Sequence, residues 1–165
     1  AVLYGSGVAF WADVAGAVFV LSVLLDRADG ELARIGGKTS PGGHIYDLIA
    51  DALCNALVLI GIGVGLRDSV WGPWAAPMGI VAGAAVAFIF WVTMRAESMD
   101  GARAAELGST AGFDADDAVL IIPVVMWLGG GVPLLAVAAF AAPAFAVFFF
   151  LRFRNFLFHQ PTRSD

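Results

Sequence analysis

Four aspartates stand at spacings that two neighbouring helices can turn into one site. Asp26 and Asp29 are three residues apart, and Gly30 and Ala33 follow Asp26 at four and seven, so on a continuous helix all four share a face. Gly43, Asp47 and Asp51 then repeat at intervals of four. Two helices joined by a short loop would bring these carboxylates together. Carboxylates at the edge of hydrocarbon are costly unless they meet a cavity, a partner or an ion, and a divalent cation supplies the missing charge. Oxygen-only ligands select a hard ion, Mg²⁺ first and Mn²⁺ second, which completes its shell with water and phosphate oxygens. A pyrophosphate is therefore the expected ligand. Gly30 and Ala33 leave room for it against the backbone, and Arg34 offers a guanidinium for its oxygens. Any one of these aspartates alone could be a helix cap neutralised by Arg27, Arg34 or Lys38, but capping requires no second helix with matched spacing.

The elements that must position these groups are apolar. The chain has 165 residues, of which 60% are hydrophobic and only 14% charged, with a mean hydropathy of +0.85. That composition excludes an ordinary soluble domain and predicts an all-α, polytopic membrane helix bundle forming a single domain over 1–165. Five membrane helices are expected, at 7–34, 43–66, 74–96, 115–129 and 132–152. The fourth is short and contains Pro123, and Gly129-Gly130-Gly131 makes a tight turn into the fifth. Gly61, Gly63 and Gly65, and the Gly79-x-x-x-Gly83 pair, read as close-packing surfaces between helices. Cys54 is the single cysteine and is expected to pack as a small hydrophobe.

Of the nine Lys and Arg residues, all but Arg67 fall in alternate connections or at the C-terminus. Basic residues are retained on the cytoplasmic side, so the aspartates are expected to face the cytoplasm, at the plasma membrane or inner membrane of a bacterium. Trp71 and Trp74 would then belong to the aromatic belt of the opposite interface. At a net charge of −5 no nucleic-acid partner is expected.

The run Asp26-x2-Asp29-Gly30-x2-Ala33-Arg34-x8-Gly43-x3-Asp47-x3-Asp51 resembles, at every fixed position and in its loop length, the signature of the CDP-alcohol phosphatidyltransferases. The resemblance implies a metal-dependent enzyme of phospholipid synthesis. It would move a substituted phosphate from a CDP-alcohol to a polar alcohol acceptor and release CMP. By the same resemblance Asp26, Asp29 and Asp47 bind metal and the CDP pyrophosphate, while Asp51 joins the metal site and is the catalytic base for the acceptor hydroxyl. Gly30, Ala33, Arg34 and Gly43 belong to the CDP-binding surface. The family usually has six membrane helices, so the first span is expected to be missing from a truncated N-terminus.

Ser40 could hydrogen-bond nucleotide or phosphate, although Thr39-Ser40-Pro41-Gly42 is equally well a turn before a helix. Arg95 ends a membrane helix on the aspartates' side and is the candidate for the acceptor's polar group, set against a snorkelling arginine. Asp114, Asp116 and Asp117 read as caps of the fourth helix. A membrane lipid, CDP-diacylglycerol, is the leading donor and a soluble CDP-alcohol such as CDP-inositol the alternative. Glycerol 3-phosphate is a mild favourite among acceptors. A homodimer is suggested by the resemblance and the small-residue faces. A transporter would explain carboxylates in membrane helices but not the full signature, and an inactive scaffold would not need it.

Overall fold

A computed structural model describes residues 1–37, 40–99 and 120–158. Among them every regular element is helical. A short α1 (Val2–Gly5) precedes α2 (Ala9–Ile35) and α3 (Pro41–Gly65), and a 3₁₀ turn over Gly72–Trp74 leads into α4 (Ala75–Met99). Then come α5 (Ile121–Trp127) and α6 (Gly131–Phe158). Among the described residues four helices are long and apolar enough to cross a membrane, over Ala9–Ala33, Ile45–Gly65, Gly72–Arg95 and Gly131–Arg152.

Of the expected fourth span, at 115–129, only part falls within the described residues. Its described part is the seven-residue α5, too short to cross on its own, and residues 115–119 with the expected caps at Asp114, Asp116 and Asp117 lie outside the described residues. Gly131 at the start of α6 lies by Leu66 at the end of α3, and Phe150 reaches Phe88 of α4. Helices α4 and α6 therefore run parallel, and the chain between Met99 and Gly131 returns from one end of the bundle to the other.

Local chemistry sets the helix ends. Ser40 is the N-cap of α3 in extended conformation, its hydroxyl accepting from the Gly43 N–H at 3.0 Å, and Pro41 occupies the first turn where its missing N–H costs nothing. Helix α2 stops where Gly37 turns to φ +61°, and the predicted turn before α6 forms with Gly129 at φ +75°, both left-handed conformations that favour glycine.

Small residues let backbones touch. A Cβ added to Gly63 would lie 2.6 Å from the Ala75 carbonyl oxygen, one on Gly79 2.6 Å from that of Leu59, and one on Gly83 2.7 Å from that of Ala56. Helices α3 and α4 thus meet antiparallel through their backbones. Gly61 and Gly65 receive the carbonyls of Ala1 and Tyr4, seating α1 on the last turns of α3. The predicted packing surfaces hold, and because contacts within the chain occupy them all, they carry no argument for a dimer.

Helix α2 is attached differently. It packs mainly on α5 and α1 and only slightly on α3. Trp127 of α5 donates its indole N–H to the Asp13 carbonyl at 3.1 Å and lies flat where a side chain at position 16 would stand, 2.7 Å from an added Gly16 Cβ. The apolar core gathers at this end, around Tyr4, Ala15, Val58 and Ile62, with Phe19, Leu66 and Met126 against it. Arg67 closes the same end by donating to the Gly5 carbonyl at 3.1 Å.

Widening Gly79 should therefore break the α3–α4 contact. Gly79→Val is expected to destabilise the protein by about 1–3 kcal/mol, the usual range for overpacking. The measurement is thermal unfolding in detergent, where an unchanged midpoint would remove this contact from the account.

Candidate active site

On α2, Ala15, Phe19, Ser22 and Asp26 follow one another at helical spacing along one stripe, and on α3 the stripe is Ile62, Val58, Asn55 and Asp51. The two helices run in opposite directions, so the stripes match layer by layer. Ala15, Phe19, Val58 and Ile62 form the closed, apolar end. Beyond them the helices part around a cavity of about 160 Å³ whose walls include Ser22, Asp26 and Arg27 from α2 and Asp51, Cys54 and Asn55 from α3. Phe19 belongs to both regions and marks where packing ends and the cavity begins.

The structure brings Asp26 and Asp51 to this cavity from opposite walls. Asp29 and Asp47 lie one turn nearer the helix ends, exposed, and do not line it. Among the described residues no group of three or more His, Cys, Asp or Glu side chains lies close enough to hold one ion. The splay follows from the attachment of α2 to α5 and α1, which holds its last turns away from α3. The donor set still suits a hard divalent ion that arrives with phosphate, because such an ion usually takes one or two carboxylates and fills its shell from substrate and water. Two carboxylate walls provide that number.

The remaining expected residues divide by what the structure says of them. Gly30 is exposed, and an added Cβ would meet nothing within 4 Å, so packing within the chain does not require glycine there. A ligand lying on that face would. Ala33 is half-buried, and Arg34 stands in the last turn of α2, its side chain outside what is described. Gly43 is held close to its cap, with an added Cβ 3.1 Å from the Ser40 hydroxyl, which gives Ser40 a defined place at the helix start. Arg95 is exposed near the end of α4, at the same end of the bundle as the aspartates but not in the cavity wall. Lys38 lies outside the described residues.

Cys54 corrects its expectation, since it is exposed at the cavity wall instead of packed in apolar surroundings. Sequence reasoning also passed over Arg27, Ser22 and Asn55. Ser22 stands four before Asp26 and Asn55 four after Asp51, so extending the helical period inward from the signature would have found both.

The arrangement can place a phosphate-bearing ligand between two carboxylates, with Arg27 in the wall and a carboxylate in reach of a proton. Its surroundings are apolar. Leu25 beside Asp26 is 58% exposed and Leu53 beside Asp51 56%, so lipid-facing surface adjoins the cavity on both helices.

The sequence model of the CDP-alcohol phosphatidyltransferase family matches residues 2–150. A bifunctional IPC transferase and DIPP synthase of Rubrobacter xylanophilus is 38% identical over 50 residues, which is 30% of this chain and 12% of that protein. An archaetidylinositol phosphate synthase of Pyrococcus horikoshii is 40% identical over 52 residues, 32% of this chain and 28% of that protein. The matched stretch thus spans a minor part of either relative. No solved structure matches. With the family pattern running over residues 2–150, and four helices among the described residues long and apolar enough to cross a membrane, this chain belongs to the CDP-alcohol phosphatidyltransferase family.

Proposed function

We propose that this protein transfers a phosphate-linked diacylglycerol from CDP-diacylglycerol to a small polar alcohol and releases CMP. The observation that carries the reading is the pairing of Asp26 and Asp51 across one cavity beside lipid-facing surface. A donor whose acyl chains remain in the bilayer can reach such a cavity from the side. The name of the archaeal relative makes an inositol phosphate the first acceptor to try.

Asp26 and Asp51, with Asp29 and Asp47 one turn outward, would hold Mg²⁺, with Mn²⁺ as a substitute, and a bound ion would offset the charge of the donor's pyrophosphate. Gly30 and Ala33 leave backbone open to that pyrophosphate, while Arg34 and Ser40 lie at the same helix ends to pair with its oxygens. Asp51 takes the proton of the acceptor hydroxyl. The freed oxygen forms a bond to the phosphorus that carries the lipid, and the bond from that phosphorus to the CMP oxygen breaks. A carboxylate suits this task because an alcohol is a poor nucleophile until its proton is removed. Arg95, at the same end of the bundle, is the candidate for a phosphate on the acceptor.

The reading also assigns the aspartate end to the cytoplasm. Arg27, Arg34, Arg95 and Arg152 stand at that end of their helices and Arg67 at the other.

Purified protein should release CMP from CDP-diacylglycerol in the presence of Mg²⁺ and an acceptor, and excess chelator should stop it. Asp51→Asn should lower the rate by about 10²–10⁴-fold, the usual contribution of a positioned base. Release from CDP-inositol and not from CDP-diacylglycerol would transfer the reading to a soluble donor, and release from neither would end it. Gly30→Ala should keep or raise the melting temperature, since alanine favours the helix by about 1 kcal/mol. The same change should raise the donor's KM, because the added methyl occupies ligand space; an unaltered KM would place the donor elsewhere. Single cysteines at Ser69 and Gly37, in a background where Cys54 is replaced by serine, should label from outside only at Ser69, and the opposite pattern would reverse the orientation.

A further inference from the structure

The layer between the carboxylates and the closed end of the bundle is polar where packing alone would favour an apolar residue. Asn55 is 9% exposed and lines the cavity. Above it on α3 stands Asp51 and below it Val58, so it sits one turn, about 5.4 Å, deeper than the carboxylate. Ser22 occupies the corresponding place on α2, between Phe19 and Asp26, and also lines the cavity. Polar groups inside membrane helices are retained where a ligand or a second polar group meets them. Here the cavity itself is what both groups meet.

We infer that Asn55 and Ser22 bind hydroxyl groups of the acceptor alcohol, and that the acceptor is therefore a polyol. The inference rests on the transfer reading above, in which one acceptor hydroxyl must reach Asp51. A molecule holding one hydroxyl there and filling the cavity inward brings its other hydroxyls to the Ser22–Asn55 layer. This layer is uncharged. It offers an amide donor and acceptor and a serine hydroxyl, which suit neutral hydroxyls and give no counter-charge to a phosphate or carboxylate. The size agrees as well. A cavity of about 160 Å³ is close to the roughly 150 Å³ engineered cavity that accepts a benzene ring, so a small cyclic polyol is of the right order. Asn55 and Ser22 act as positioning residues, on the acceptor and not on the donor.

The test is steady-state CMP release by the full chain from CDP-diacylglycerol, with inositol 1-phosphate, glycerol 3-phosphate and serine as acceptors. Wild-type protein should use a polyol phosphate in preference to serine. Asn55→Ala should raise the KM of that acceptor about five- to tenfold, the loss expected for one neutral hydrogen bond, with the donor KM within about twofold and kcat largely kept. Asn55→Ser should recover part of the loss. An unchanged acceptor KM, a matching rise in donor KM, or a preference for serine overturns the inference. If Asn55→Ala aggregates, Ser22→Ala on the more exposed wall carries the same readout. Should the wild type release no CMP from any pair, the transfer reading fails, and the site is judged by equilibrium binding of labelled inositol 1-phosphate. Binding weakened by Asn55→Ala supports the site, and binding absent or unaltered overturns it.

Discussion

The close backbone contact between α3 and α4 is the interaction on which the rest of the structure depends. Gly63, Gly79 and Gly83 bring carbonyl oxygens to distances that leave no room for a side chain, so one face of the second half of α3 is committed to α4. Lipid is as apolar as leucine, and within a bilayer such packing, not a hydrophobic drive, holds helices together. The commitment of that face decides the other one. The stripe through Ile62, Val58, Asn55 and Asp51 is left to meet α1 and α2, and it changes along its length from packed and apolar to open and charged.

Helix α2 completes the cleft by being held at one end. Its contacts with α1, and the Trp127 indole lying over Gly16, fix the half that carries Ala15 and Phe19. The half that carries Asp26 and Asp29 is exposed from Leu24 to Leu32. A bundle pinched at one end and open at the other places charge where water and substrate can reach it. The same geometry keeps the carboxylates out of hydrocarbon, where they would be expensive.

Between the two ends the gradation of side chains is as informative as the signature. Apolar residues fill the closed layer, an amide and a hydroxyl face each other in the next, and two carboxylates in the one after. Each layer is one helical turn from its neighbour, so polarity rises in step with access to the cavity mouth. Leu25 and Leu53, next to the aspartates in sequence but turned to the outside, give the same turns a lipid-facing side. A single turn of α2 or α3 thus serves both a polar ligand and the bilayer, because adjacent residues on a helix point about 100° apart.

The sequence by itself determined much of this. The eight signature positions identify the family, since no packing role demands that pattern across two helices. Apolar length marks four of the five expected spans, the glycines at 61, 63, 65, 79 and 83 announce close contacts, and chain direction alone puts Asp26, Asp51 and Arg95 at one end. What only the tertiary structure decided is the distance between α2 and α3. Helical spacing says which residues share a face but not how far that face stands from the next, and that separation is set by α1 and by Trp127, remote from the signature in sequence. For this reason the pairing of Asp26 with Asp51, the outward position of Asp29 and Asp47, the exposure of Cys54 and the place of Asn55 and Ser22 in the cavity wall could not be read from spacing.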